Sequence, residues 1–245
     1  EWYERAGLSI RGIVKNYDTD FRMKRLYPNC KNLICISKYL YEYYKNSVTN
    51  ILQIPAIIDE DLSKWNIENK LDKHSIQFIY AGSPGVNNVK ERLDVLIDAF
   101  NTFTIDKSNY KLVIVGLNKK ELDEIKKNNT ISKDVSLIGK VPHNKCLQMI
   151  ADSNFSIIPR ESNRKNNAGF PTKLSESLGC GTPVITTNIS NVSEFISDYV
   201  NGFVVRDCTK NDLINVFNII DGLSVEKLGC MKISAKKDNK LIVAN

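Results

Sequence analysis

The sequence predicts an α/β fold in which a parallel sheet is wrapped by helices, and three features carry that expectation. From about Gln77 onward, short apolar runs alternate with amphipathic segments, the pattern of parallel strands joined by crossover helices. Most of the runs are continuously apolar rather than alternating, as strands buried on both faces require. The segments between them repeat apolar residues every three or four positions, which is helical spacing.

The strand candidates are Gln77–Ala81, Lys111–Val115, Val135–Ile138, Phe155–Ile158, Pro183–Thr186 and Phe203–Val205. Leu93, Leu96, Ile97 and Phe100 recur at helical spacing after the first, and Leu122 and Ile125 after the second. Leu147, Ile150 and Ala151 follow Pro142, Val192, Phe195 and Ile196 make a shorter segment, and Leu213 to Ile220 closes the series. Six strands with intervening helices amount to a Rossmann-like domain over residues 75–222. Upstream, residues 1–60 read as a helix around Thr19–Tyr27, a strand at Asn32–Ile36, a helix over Lys38–Lys45 opened by Ser37, and a strand at Ile51–Ile54. Two strands and two helices do not bury their own faces, so this stretch is expected to be part of a second α/β domain. Residues 61–74 are polar and suit an interdomain linker. The tail, residues 223–245, has no strong apolar stripe over its last part and is expected to dock weakly or fray.

The 245 residues, 42% hydrophobic and 25% charged, have the balance of a globular protein in water. No apolar run approaches the roughly 18–20 residues that span a bilayer. The first methionine is Met23, and Glu1-Trp2-Tyr3-Glu4-Arg5 lacks the features of a signal peptide, so the chain is expected to be a fragment. A net charge of +6 favours acidic partners without choosing among them. The lysines are spread out, and no basic stripe with interleaved aromatics marks a nucleic-acid surface. Cys30, Cys35, Cys146, Cys180, Cys208 and Cys230 form no CxxC pair, which argues against zinc spacing and a disulfide framework and fits a reducing cytoplasm.

The stretch from Arg160 to Ile185 carries the most chemistry. It begins where the fourth strand ends, at the carboxyl edge of the sheet, where ligands bind. Gly169 permits close approach of backbone to a ligand, and Pro171 suits the first helical position. The helix that follows offers free amides and a positive dipole end to a phosphate, and Arg160, Arg164, Lys165 and Lys173 add cations. The alternative is a solvated basic loop capped by proline. Lys173 and Glu176 lie three apart and share a helix face. Either one serves a phosphate and the other ribose hydroxyls, or they form a surface ion pair worth roughly 0.5 kcal/mol.

Tyr80-Ala81-Gly82-Ser83-Pro84-Gly85, followed by Lys90 and Leu93 to Phe100, resembles the opening of the C-terminal domain of family-4, group 1 glycosyltransferases of the GT-B fold. Gly139-Lys140-Val141-Pro142-His143 is similar to that family's loop after the third strand, and Gly169 to Val184 to its signature helix and following turn. Cys35 to Leu40 and Ile54-Pro55 look like the end of such an enzyme's acceptor-binding N-terminal domain. The resemblance implies that Glu176 binds the donor ribose and that Lys90, with Arg92, neutralises the donor diphosphate. It implies that Gly82 and Ser83 face that diphosphate and that Val141 flanks the base. Gly169, Phe170, Pro171 and Thr172 would supply backbone amides, with Arg160 and Lys173 as cations.

Two departures qualify this. The family's first motif glutamate falls on Ala168, and Glu161 is too early to replace it, so backbone groups of Asn167 to Phe170 are the candidates for its contact. Catalytic groups of the acceptor side would precede residue 1; His74 and His143 read as solvated histidines. The implied function is retaining transfer of a sugar from a nucleoside-diphosphate sugar to a glycan or lipid-linked acceptor in cell-surface polysaccharide biosynthesis. It would take place in the cytoplasm with possible peripheral membrane contact, with no cofactor and no nucleic acid. An epimerase of the same fold or a nucleotide-sugar-binding remnant are the alternatives. No DxD pair lies beside a strand end (Asp18-Thr19-Asp20 reads as the cap region of a helix), so no metal is expected. Sugar transfer by the intact enzyme should therefore survive EDTA; complete loss, restored by manganese, would contradict this reading.

Overall fold

The computed structural model describes residues 9–59, 61–69, 75–85 and 90–242. The chain runs α1 (Ile10–Phe21), β1 (Asn32–Cys35), α2 (Lys38–Tyr44), β2 (Asn50–Gln53), β3 (Ile76–Ala81), α3 (Leu93–Phe103), β4 (Tyr110–Leu117), α4 (Lys119–Asn128) and β5 (Val135–Gly139). It continues through α5 (His143–Ala151), β6 (Phe155–Ile158), α6 (Arg164–Ala168), α7 (Thr172–Gly179), β7 (Val184–Thr187), β8 (Gly202–Val205), α8 (Lys210–Asp221) and α9 (Val225–Lys237). All six strands predicted downstream of Gln77 are present, within three residues at each end.

β3 to β8 form one parallel sheet in the order β5-β4-β3-β6-β7-β8. The chain winds outward from β3 through β4 to β5, then crosses back to begin again at β6 beside β3. That reversal is the topological switch point of a doubly wound sheet. Strand β3 shows how the faces divide: Phe78 and Tyr80 join the core with α3 and α8, and Ile79 and Ala81 join the core with α5. Phe78 is fully buried and lies 4.9 Å from the Phe217 ring and 6.2 Å from that of Phe100. Rings of 150–250 Å² at such spacings dominate core energetics.

β1 and β2 pair in parallel as a separate two-stranded sheet, packed by Met23, Cys35, Tyr44 and Val48. The helix before it starts nine residues earlier than the sequence suggested. Ser9 caps it by accepting from the Gly12 amide at 3.2 Å, and the apolar stripe Ile10, Ile13, Val14, Tyr17 and Phe21 is exposed rather than buried. Asp18 and Asp20 therefore lie inside the helix, not at its cap. They pair with Arg22 at 3.0 Å and Lys24 at 3.2 Å, one turn on.

The tail does not fray over the described residues. Ser224 caps α9, Met231 and Ala235 are buried on it, and Leu241 is buried beyond it. Ile58 donates its amide to the Leu241 carbonyl at 2.8 Å. The stripe was missed because buried Lys232 interrupts it. This lysine donates to the carbonyls of Ala151 and Ser153 at 2.9 and 2.6 Å, covering the end of α5.

The polar stretch before β3 also contributes to packing. Trp65 is buried and, with Ile58, packs so closely on α7 that a Cβ at Gly179 would meet the indole at 3.1 Å. Trp65→Ala should cost about 3–5 kcal/mol, read as a lower denaturant midpoint at unchanged slope. A loss below about 1 kcal/mol would mean that this segment does not buttress α7.

Candidate donor site at the switch point

The loops that leave β3 and β6 diverge at the carboxyl edge of the sheet, and the predicted residues gather around the gap. Gly82 and Ser83 follow β3, Arg160 follows β6, and Lys173 projects from the first turn of α7. Gly82 has φ +130°, a conformation open in practice to glycine. A Cβ there would lie 2.5 Å from Lys173 Cε. The lysine stem therefore crosses directly over the Gly82 backbone. Gly116, φ +100°, needs glycine for the same reason: a Cβ there would lie 3.0 Å from the Gly82 backbone.

The end of the Lys173 side chain is not free. Its ammonium donates to Glu91 Oε2 at 2.5 Å and to the Tyr80 hydroxyl at 2.8 Å, and sits 4.0 Å over the Tyr80 ring. Arg160 donates Nε and Nη2 to Glu91 Oε1 at 2.8 and 2.7 Å. The Tyr80 hydroxyl donates to Glu91 Oε2. Glu91 is fully buried and the Arg160 and Lys173 side chains are 5% and 14% exposed, so these are desolvated ion pairs. Burial pushes the Glu91 carboxyl up, but Lys173 and Arg160 together outweigh it and hold it below the usual range. Burial pulls Lys173 down to about 8, against the opposing pull of Glu91. The pair is thus charged at neutral pH.

The other predicted residues divide. Arg92, just before α3, is held by Asp94 at 2.8 Å and by Glu161, so its charge is matched within the loop rather than turned to the groove. Lys90 is exposed. The Ser83 hydroxyl donates to Glu121 at the start of α4 and accepts the Gly85 amide at 3.3 Å. Glu121 is itself fixed by a capping box with Asn118. Arg164 donates to the Tyr39 hydroxyl of α2 at 3.0 Å.

At the start of α7, Thr172 is the first helical residue and Pro171 its cap, one place from the expectation. Phe170 turns inward to pack on Phe195 at 5.5 Å; only its backbone faces the loop. Gly169 has φ −93°, which any residue adopts, and a Cβ there would meet nothing closer than 3.9 Å. The protein itself makes no use of the side chain missing at Gly169.

Glu176 does not pair with Lys173. Its carboxylate lies 3.0 Å from Nε2 of His143, the first residue of α5, so this histidine belongs to the site. Val141 packs on the core behind it. His74 lies outside the described residues. The Ala168 carbonyl accepts the Ser37 hydroxyl at 2.8 Å, so it is committed to the β1–β2 unit rather than open to a ligand.

Sequence reasoning missed Glu91 and Tyr80. Glu91 stands between Lys90 and Arg92 and reads as part of a solvated charge run, and Tyr80 reads as one more strand residue. The fit of Lys173 over Gly82 yields a direct test. Gly82→Ala forces the stem aside, and affinity for pyrophosphate should fall about tenfold, near 1.4 kcal/mol, by calorimetry on protein shown to be folded. Unchanged affinity would separate Lys173 from anion binding.

The chain resembles known proteins in sequence and in fold. The family described as glycosyl transferases group 1 matches residues 64–220, more than half of the chain. An uncharacterized glycosyltransferase of Methanocaldococcus jannaschii is 27% identical over 186 residues, 76% of this chain and 48% of that protein. Among solved structures, TarM aligns with a TM-score of 0.66 at 17% identity, over 97% of this chain and 44% of its own. The pneumococcal O-GlcNAc transferase GtfA, in complex with UDP and GlcNAc, aligns at 0.63 and 17% identity, over 90% and 43%. The chain thus spans about half the length of these relatives. It belongs to the group 1 glycosyl transferases, and its six-stranded sheet is a Rossmann-like domain of the GT-B fold.

Proposed function

We propose that this chain carries the donor site of a retaining glycosyltransferase that moves a sugar from a nucleoside-diphosphate sugar to a glycan or lipid-linked acceptor. The single observation that supports it best is the crossing of Lys173 over Gly82, beside Arg160, at the switch point. A cation held over bare backbone at that place suits a diphosphate. Residues 1–60 are read as the end of the acceptor-binding domain, 61–74 as the linker and 75–222 as the donor domain. Cell-surface polysaccharide assembly in the cytoplasm, with peripheral membrane contact, is the setting that the resemblance suggests.

In this reading the cations act on the leaving group. As the bond between sugar and diphosphate breaks, negative charge grows on the phosphate oxygens. Lys173 and the α7 amides, already oriented, stabilise it without reorganising, and Lys90 adds a further cation. Glu176 accepts from the ribose hydroxyls, with its carboxylate steadied by His143, and Val141 flanks the base. The missing side chain at Gly169 leaves room for the transferred sugar. No metal enters the scheme.

The test is a titration of the chain with a panel of nucleoside diphosphates. Lys173→Ala and Glu176→Ala should each weaken the best of them about tenfold or more, about 1.4 kcal/mol, in folded protein. The 245-residue chain should bind the nucleotide yet transfer no sugar, because much of the rate comes from holding the acceptor against the anomeric carbon. Binding by both variants equal to that of the unaltered chain would displace the site. Transfer at the rate of the complete enzyme would displace the acceptor assignment.

A further inference from the structure

Glu91 contacts both buried cations of the groove, and its two oxygens divide the work. Oε1 takes two bonds from Arg160, and Oε2 takes one from Lys173 and one from Tyr80. The Tyr80 hydroxyl, pushed well above the usual tyrosine range by burial and by Glu91, keeps its proton to donate and accepts from Lys173 in turn. Tyrosine, carboxylate and ammonium thus form a closed triangle that leaves the lysine little freedom to swing.

The charges around Lys173 come from every neighbouring element. Tyr80 faces it from β3, Glu91 and Lys90 from the stretch before α3, and Arg160 from the end of β6. Glu121 of α4 lies near Tyr80, and Cys146 of α5 lies near both Lys173 and Glu176 of α7. Glu121 and Glu176 are bonded to Ser83 and His143 instead. Arg160 and Lys90 oppose the lysine's charge, as burial does, and Glu91 supports it by both proximity and hydrogen bond. An ammonium buried among cations and deprived of that support sheds its proton, and a neutral amine attracts no diphosphate.

We propose that Glu91 is a positioning residue of the donor site, holding Lys173 charged, laid across Gly82 and aligned with Arg160, so that the diphosphate meets a cation pair already in place. The proposal rests on the donor-site reading above. It adds a carboxylate that never touches the substrate and acts through the two side chains that do. Its sign with pH is definite: below the Lys173 midpoint the ammonium is present and the anion binds, and above it affinity is lost. Without the carboxylate's charge, that midpoint moves to lower pH.

The experiment compares the unaltered chain with Glu91→Gln and Glu91→Asp. Lys173 ionisation is followed by NMR of protein whose lysines are labelled with carbon-13 at Cε, the resonance being assigned by its loss in Lys173→Arg. Affinity for pyrophosphate, UDP, GDP and ADP is followed by calorimetry from about pH 6 to about pH 9. In Glu91→Gln the Lys173 midpoint should fall by about one pH unit or more. Affinity at about pH 7.5 should weaken about tenfold and recover on acidification. Glu91→Asp, which restores the charge on a shorter arm, should recover part of both. A midpoint that does not move, or that moves while affinity stays the same, overturns the proposal. If Glu91→Gln does not fold, Glu91→Asp is read alone: about threefold weaker binding or more is expected, about 0.6 kcal/mol, and unchanged affinity overturns the proposal. If the unaltered chain binds none of the four anions, the donor-site reading fails and the proposal falls with it. Lys173 ionisation then still reports whether Glu91 holds the lysine, so the two failures are told apart.

Discussion

Three of the segments that meet at the switch point are tied to one carboxylate. Glu91 takes its four bonds from β3, from the exit of β6 and from the first turn of α7. Three charged side chains, Glu91, Arg160 and Lys173, have been drawn out of water to make this arrangement. Buried ion pairs generally add little net stability, since desolvation offsets their attraction, whereas breaking one costs about 3–5 kcal/mol. The cluster is therefore better understood as fixing where the cations stand than as holding the domain together. The aromatic packing of Phe78, Phe100 and Phe217 carries the domain itself.

The same constraint reaches outward through backbone. Lys173 meets Glu91 only because its stem passes over Gly82, and Gly82 lies low enough only because Gly116 backs it with no side chain. On one flank, Ser83 hands the loop to Glu121 and so to the N-terminus of α4. On the other, the Arg92 amide donates to the Pro159 carbonyl at 2.8 Å, joining the start of α3 to the end of β6. A doubly wound sheet opens a crevice where its strand order reverses. Here the crevice walls are cross-linked by the protein's own side chains and backbone, and walls so fixed lower the ordering cost of binding.

The β1–β2 unit is fastened to the loop after β6 and to the turn after β7. Ser37 donates to the Ala168 carbonyl, Lys38 pairs with Glu194 at 3.0 Å, and Tyr39 accepts from Arg164. The Ala168 carbonyl is part of this junction. The small unit is thereby bonded to α6, which Gly169 and Phe170 join to the helix that carries Lys173 and Glu176. The outward face of the unit is different in kind. Ile34 and Leu52, paired across the two strands, are 67% and 57% exposed, whereas parallel sheets ordinarily bury both faces.

How much of this could be read in advance follows from the range over which each signal acts. The six strands of the large sheet were legible because burial on both faces writes itself into a short apolar run such as Phe155–Ile158. The loop after β6 was legible because glycine, proline and cations cluster within a few residues of a strand end. The start of α1 was not, since its apolar stripe is exposed and only Ser9 announces it. α9 was hidden by Lys232, whose ammonium finds two carbonyls 79 and 81 residues away in sequence. Glu91 is the sharpest case. In sequence it is the middle of Lys-Glu-Arg, a trio that ordinarily means a solvated helix start. Its partners are Tyr80, 11 residues back, and Arg160 and Lys173, 69 and 82 residues ahead. Local pattern registers which residue types stand together, but the sign and depth of a charge's surroundings are set by the return of the chain from β6. A carboxylate that answers two distant cations leaves no trace until the crossover is built.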